Sequence, residues 1–592
     1  MSDDRIDHEA WPLRAVILLA LGALFGLAFD SLVTTRPSYG WSWTDDPLRL
    51  AGATFVAVSG FGFAFTLERR RWLWSLLFAL ACGLVAGSVT YWNGASDSWR
   101  FASMLLAIGI AAPLFQVVRD EGRWRLAQRP IHAHAWTNAV LWCAAWLFVL
   151  IVYLLVLLLG QLFNLIGIDF LKELLRKSWF NWILVGAALG AAVGLLRDRD
   201  KVLGLLQRVV TIILSMLTPI LAIGLGLFIL SLPFTGLAPL WRETSATTPI
   251  LLSCAAIAVL FTNATIGNAA DEEPRLKALL HAGLILALTI LPLALVAAIS
   301  TGLRIGQHGF TPDRLWAGVC IAIALVYGLA YLAALALGRW RWPDCVRQMN
   351  VWLALGLCGL ALLLGTPLIS FGAISTRDQV SRLESGRLSP DQFDWRALAF
   401  DFGPSGRRAL EKLHRQSKSE VVRREAGKVL IAKSRWSVDS AEERLRRRTA
   451  LAQLRVVPRP VPLPTALKDR LSRIYFCSNG EPCTLYYERD ANWAVAISQP
   501  PCIVRHSPER GKNRQIEVRW VEPGTNKGPC DVDMTVLYRV GDAWRDMPDR
   551  VRPSADSTGP DDQAWQNGEI EIREVSRRQV FVGGEPVGDA FE

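Results

Sequence analysis

The chain has 592 residues, 52% of them hydrophobic, including 24 Trp and 24 Phe; an ordinary soluble domain has about 45–50% apolar residues. Nearly all of the excess lies in residues 1–370, which excludes a wholly soluble protein and leaves 371–592 as a polar chain. The net charge of +11 does not mark a nucleic-acid binder, because the basic residues fall at the ends of apolar runs and in 404–455, where they read as loop charges and a solvated helical face.

Apolar runs of about 18–25 residues cross a bilayer as helices. In chain order there are about eleven, at 13–33, 48–67, 72–92, 101–118, 137–160, 179–196, 209–233, 249–267, 278–301, 313–338 and 349–370. The first follows MSDDRIDHEAW and lacks a small-residue cleavage signal, so it is expected to be retained. Pro219 and Pro292 fall inside spans and predict kinks at most. With the N-terminus placed in the cytoplasm, inside segments carry 18 Lys and Arg and outside loops carry 9, which agrees with the positive-inside rule. An odd number of spans then places 371–592 in the periplasm.

Two linkers stand out. In FNLIGIDFLKELLRKSWF (163–180), Asp169, Lys172, Glu173, Arg176 and Lys177 share one helical face opposite Phe170, Leu171, Leu174, Leu175 and Trp179, the pattern of a helix lying along the membrane surface. In RIGQHGFTPDR (304–314), Gly306 and Gly309 allow a sharp turn, Thr311 is placed to cap the next helix, and Pro312 and Asp313 suit its first turn. Arg304, Gln307, His308 and Arg314 are not needed for a turn, so this loop is expected to dock the tail through an acidic residue of DQFDWRALAFDF. His132 and His134 in RPIHAHAW do not face each other on a helix, so no metal site is assigned.

The tail divides into a helical segment with a proline-rich connector (371–463) and a β-rich domain (464–592). LSPDQFDWRALAF reads as a helix start at Ser-Pro, and three helical stretches follow. Short β-branched and aromatic runs from about 472 predict a small antiparallel sheet or sandwich. Cys477, Cys483, Cys502 and Cys530 cluster there and read as two disulfides of an oxidising compartment. The hairpin FCSNGEPCT favours Cys477 with Cys483, which leaves Cys502 with Cys530.

LFNLIGIDFLKELLRKSWF, RIGQHGFTPDR and STRDQVSRLESGRLSPDQFDWRALAFDFGPSGRRALEKL together resemble a bacterial family of integral membrane proteins known only as a domain of unknown function, DUF4153. The likeness covers roughly 135–415. The family pattern has Tyr at the position of His308, and a Gln-Asp pair is missing from TNATIGNAADEEP. The resemblance implies a multi-span bacterial inner-membrane protein and implies no activity.

The expected fold is thus a polytopic α-helical membrane protein with a C-terminal soluble α+β region ending in a small antiparallel β domain. Lipid is its expected environment, with no cofactor, no metal and no nominated catalytic residue. The expected function is a non-catalytic envelope scaffold, sensor or regulator whose periplasmic tail binds a partner. The alternative is a membrane transporter or lipid-handling protein.

Overall fold

The structure is a computed structural model that describes residues 11, 13–34, 44, 46–94, 98–124, 126–237, 246–269, 272–274, 276–432, 434–438, 443, 451–452, 454–457, 459–471, 474, 483–498, 533–546, 578–582 and 585–591. The chain forms two compact units, 1–375 and 376–592. The boundary falls a few residues later than the sequence pattern places it, inside a helix that runs Phe371–Glu384.

The first unit holds α1 (Arg14–Val33), α2 (Pro47–Thr66), α3 (Trp72–Asn93), α4 (Ser98–Glu121), α5 (Gln128–Leu165), α6 (Phe170–Leu175), α7 (Ser178–Arg197), α8 (Asp200–Thr235), α9 (Thr247–Ile266), α10 (Lys277–His308), α11 (Pro312–Gly338) and α12 (Trp342–Gly365). Ten helical segments among the described residues are long and apolar enough to cross a membrane. One of them, Pro312–Gly365, has 54 residues. At 1.5 Å per residue it would reach about 81 Å, far beyond a hydrocarbon core of about 30 Å. A 3-10 turn at Arg339–Arg341, with Arg339 at φ 47°, breaks it into α11 and α12, which pack against each other.

Several helices outrun their apolar cores. α5 has 38 residues and α8 has 36, because polar first turns extend the helix where hydropathy alone ends it. Pro113, Pro219, Pro233 and Pro292 all sit within continuous helices.

Helices α1, α2, α5 and α7 share one apolar core, α2, α3 and α4 a second, and α8 to α12 a third. The tightest seam joins α1 to α7. On α1, Gly22 faces Gly186 of α7 and Gly26 faces the Trp182 backbone, while Gly190 and Gly194 of α7 face the α1 backbone at Leu18 and Ala15. A Cβ on Gly190 would lie 2.0 Å from the Leu18 carbonyl oxygen, and one on Gly22 would lie 2.0 Å from that of Gly186. Spacing by four places these glycines on one face of each helix, the small-residue pattern that lets membrane helices touch backbone to backbone.

The second unit has a helical part and a sheet. After Phe371–Glu384 (α13) come α14 (Trp395–Phe400), α15 (Gly403–Gln416) and α16 (Glu420–Ile431), packed around Phe393, Trp395, Leu398 and Leu410. The Ser-Pro start is not the helix start. Ser389 instead caps a turn, and Asp394 caps α14 by accepting from the Ala397 amide at 3.1 Å. SAEERLRRRTALAQL lies largely outside the described residues.

The five-stranded sheet runs in the order β1 (Arg455–Val457), β2 (Cys483–Tyr486), β3 (Trp493–Ser498), β4 (Asp533–Val540), β5 (Ala543–Asp546), and β6 (Arg578–Val582) pairs with β7 (Glu585–Phe591). It is mixed rather than purely antiparallel, because β1 pairs with β2 in parallel. The proline-rich connector is therefore part of this domain: it supplies β1 and α17 (Thr465–Leu471), and Val461 and Leu463 pack on the sheet core with Leu467 and Leu471.

The seam makes a clear prediction. Gly190→Ala in the detergent-solubilised protein should cost roughly 1–3 kcal/mol through overpacking. Gly302→Ala, whose Cβ meets nothing within 4 Å, should be neutral or stabilising by about 0.4–1 kcal/mol. Thermal unfolding of both variants checks the contrast.

Candidate functional site

A helix leaves its last four carbonyls without intrahelical partners, and a membrane environment offers few others. Here buried arginines fill that role. Arg119 of α4 donates to Thr66 O at the end of α2 and lies 3.4 Å from Ser75 Oγ; its side chain is 2% exposed. Gln116, one turn earlier, donates to Phe65 O at 3.0 Å and bonds Asn138 of α5. Arg197 of α7 donates to Leu67 O at 3.2 Å. At the end of α9, Arg347 of α12 donates to Ile266 O and Gly267 O and pairs with Glu273 and Asp344, each at 2.7 Å. Arg100 of α4 donates to Thr366 O at 3.3 Å and Ile369 O at 2.8 Å, beyond the end of α12.

Around the end of α2 the ion pairs enclose a polar cavity of about 230 Å³. Its walls include Arg14, Glu68, Arg119, Asp120, His134, Thr137, Arg197 and Gln207. Arg14 Nη2 donates to Glu68 Oε1 at 2.9 Å, and Nη1 lies 3.6 Å from Asp198 Oδ1. Arg14 Nε is buried and has no hydrogen-bond partner among the described residues. Asp120 takes Arg119 at 2.6 Å and His134 Nε2 at 3.3 Å.

A second cavity of about 290 Å³ lies among α1, α2, α5 and α7, whose ends also border the polar cavity together with α4 and α8. Its lining is apolar: Phe25, Phe29, Val56, Ala57, Phe61, Trp146 and Trp182 supply side chains, and Gly22, Gly26, Gly60, Gly186 and Gly190 supply bare backbone. Leu18 lines this slot one turn after Arg14, and Ala64 lines it one turn before Glu68. The polar cavity thus occupies one end of the helices whose middle turns form the apolar slot.

The family model described as Domain of unknown function (DUF4153) matches residues 50–413. The chain belongs to this family. The DUF4153 match starts well before residue 135, so it takes in α2 to α4 as well as the linkers that carry the sequence resemblance. It includes Glu68, Arg119, Asp120, His134 and Arg197; Arg14 precedes it and the β sheet follows it. No curated protein and no solved structure matches the chain.

The two histidines of α5 diverge. His134 faces Asp120, whereas His132 accepts from Trp136 Nε1 at 2.7 Å and lies within electrostatic reach of Asn268, Glu272 and Arg347. Among the described residues no group of three His, Cys, Asp or Glu is placed to hold a metal.

The 163–180 segment is not one helix. α5 ends at Leu165, Gly167 takes φ 80°, and α6 is six residues long with no buried side chain. Asp169 stands at its N-cap position without a capping hydrogen bond, Lys172 and Glu173 lie within it, and Arg176 and Lys177 fall between α6 and α7. Trp179 belongs to α7, so the single amphipathic face is divided by a break that a pattern of charges alone does not reveal.

RIGQHGFTPDR is mostly helical rather than a loop. Arg304, Gln307 and His308 form the last turns of α10, Gly306 lies within that helix, and Gly309 alone turns the chain at φ 77°. Thr311 caps α11 by accepting from the Arg314 amide at 3.4 Å, with Pro312 and Asp313 in the first turn. The Arg314 guanidinium donates to Gly309 O at 2.8 Å. In the tail, Asp394 caps α14 and Asp401 takes Arg435 in a two-pronged pair at 2.9 Å. Cys477, Cys502 and Cys530 lie outside the described residues, and Cys483 is described only as backbone of β2.

The sequence reading passed over the arginine cavity. Its signal is a set of Arg and acidic residues at the same-side ends of several spans, which charge counting assigns wholly to topology. A polar triangle in the third core joins Asn263 to Tyr331 (2.8 Å) and Asn350 (2.6 Å), three residues on three different helices whose meeting no sequence pattern reveals.

Arg347→Leu leaves the carbonyls of Ile266 and Gly267 and the carboxylate of Glu273 without their cation. Thermal unfolding in detergent should show a loss of roughly 3–5 kcal/mol. Arg341→Leu removes only an exposed pair with Asp344 and should stay within about 0.5 kcal/mol.

Proposed function

We propose that the membrane unit of this DUF4153 protein handles lipid, holding a hydrocarbon chain in the slot among α1, α2, α5 and α7. The observation that carries this reading is the apolar cavity of about 290 Å³ beside the glycine seam. Binding sites for small molecules are concave and mostly apolar, with few polar groups that fix orientation. A slot of that composition inside a bilayer has acyl chains as its commonest available occupant.

Ala57→Phe should fill the slot from α2, where Ala57 is half-buried. The lipid that survives purification in mild detergent, counted per protein by mass spectrometry, should fall about tenfold, the loss expected for roughly 1.4 kcal/mol of lost burial. Unchanged retention in a variant with wild-type thermal stability would sink the reading.

A second reading keeps the chain as a non-catalytic scaffold, sensor or regulator whose C-terminal unit meets a protein partner. Trp436 (84% exposed) and Ile431 (81% exposed) favour it, since they present apolar surface next to the basic helices α15 and α16. This reading also includes eleven passes through a bacterial inner membrane, an N-terminus in the cytoplasm, a C-terminal unit in the periplasm and two disulfides. The charge bias, 18 against 9, supports the orientation. A periplasm-dependent reporter fused after Val380 should be active and one fused after Glu68 silent, and a non-reducing peptide map should join Cys477 to Cys483. The opposite reporter pattern would reverse the orientation.

A further inference from the structure

We infer that the polar cavity binds the anionic phosphate headgroup of an amphiphile whose chain lies in the adjoining apolar slot, with Arg14 and Arg197 as the recognising cations. The inference rests on the lipid-handling reading and adds the headgroup chemistry to it.

The charges of the cavity divide by task. Arg119 is committed to the end of α2 and to Asp120. Arg14 and Arg197 are not fully used. A guanidinium carries five N–H donors. Arg14 has Glu68 and Asp198 on its two Nη atoms, and its buried Nε is bare among the described residues. Arg197 makes one hydrogen bond among the described residues, to Leu67 O. The walls hold the cations Arg14, Arg119 and Arg197 and the carboxylates Glu68 and Asp120, and Asp198 balances the third cation from beside Arg14, so the case for an anion rests on the unused guanidinium donors rather than on net charge. Thr137 and Gln207 bond each other at 2.7 Å on the same wall and offer neutral polar atoms.

A desolvated guanidinium with spare donors is a strong receptor for phosphate, which accepts several bonds at once and suits the planar donor fork. Basic pockets between membrane helices near the cytoplasmic surface are suited to anionic headgroups. The position of the cavity supplies the rest of the argument. Arg14 and Leu18 follow one another on α1, as do Ala64 and Glu68 on α2, so a chain in the slot brings its polar end toward the arginines. Glu68 and Asp120 oppose an anion, and they also hold the site together by pairing its cations. A bound phosphate takes the donors that these carboxylates leave unused.

The test uses the full chain, purified and delipidated in detergent, with binding read by native mass spectrometry. The probes are phosphatidylglycerol, phosphatidylcholine with the same acyl chains, and inorganic phosphate. Two variants disable the headgroup site by different routes. Arg14→Gln removes a cation. Gly204→Glu introduces a carboxylate from a wall position whose Cβ meets nothing within 4 Å, and it breaks no native bond. Phosphatidylglycerol should bind the wild type in preference to phosphatidylcholine, and each variant should weaken it about tenfold or more, as expected for losing a charge-assisted hydrogen bond. Equal binding of the two lipids, unchanged in Gly204→Glu, overturns the headgroup assignment and leaves the acyl-chain reading standing. Binding of neither lipid removes both. Inorganic phosphate that displaces phosphatidylglycerol at equal concentration makes the cavity a site for free anions and overturns the amphiphile.

Discussion

The membrane unit depends on satisfying helix carboxyl ends away from bulk water. Each end leaves bare carbonyls and the negative pole of the helix dipole, and a cation placed there answers both. Arg119 and Arg347 do this for the ends of α2 and α9, and Arg100 holds the carbonyls of Thr366 and Ile369 in the chain that leaves α12. A lysine would be a poor substitute, because one guanidinium reaches two successive carbonyls and a carboxylate at once, as Arg347 does with Ile266, Gly267 and Glu273. Each arginine comes from a helix other than the one it caps. The caps therefore fix which helices are neighbours as well as where each one stops.

The glycine seam supplies the complementary constraint. Hydrophobicity does not favour one helix pair over another inside a bilayer, so close packing must do so. Gly22 against Gly186, Gly26 against the Trp182 backbone and Gly190 against the Leu18 backbone bring α1 and α7 together although five helices separate them in the chain. That approach carries Arg14 to the end of α2 beside Arg197. It also leaves bare backbone along one side of the apolar slot. Seam, cavity and slot are consequences of one packing event.

The membrane character was legible because a bilayer demands long apolar runs; about eleven were expected, and ten helical segments among the described residues are long and apolar enough to cross, with two of the runs falling in Pro312–Gly365. The cap at Thr311 was legible for a local reason, since Thr-Pro-Asp states a helix start within three residues. The end of α10 was not. Arg304 and Gln307 are good helix formers, and a helix continues through polar residues until Gly309 stops it. The break after Leu165 and the parallel pairing of β1 with β2 were hidden for a similar reason: charge and hydropathy patterns report faces and not connections. The GxxxG spacing on α1 and α7 was readable in the sequence, but the partner of each stripe was not.

The arginine cavity was the least legible feature, and the reason bears on its role. A topological arginine needs only water beyond the last turn of a helix. Arg14 at 5% side-chain exposure and Arg119 at 2% have left that water, and desolvating a guanidinium costs several kcal/mol unless its donors are satisfied. For Arg119 the carbonyl of Thr66 and the carboxylate of Asp120 supply that compensation. For Arg14 it is incomplete, because Nε has no partner among the described residues. Buried donors are seldom left bare without a reason. Arg14 opens onto a polar cavity near one end of an apolar slot, and the proposed amphiphile, anionic at one end and hydrocarbon at the other, would answer both features at once.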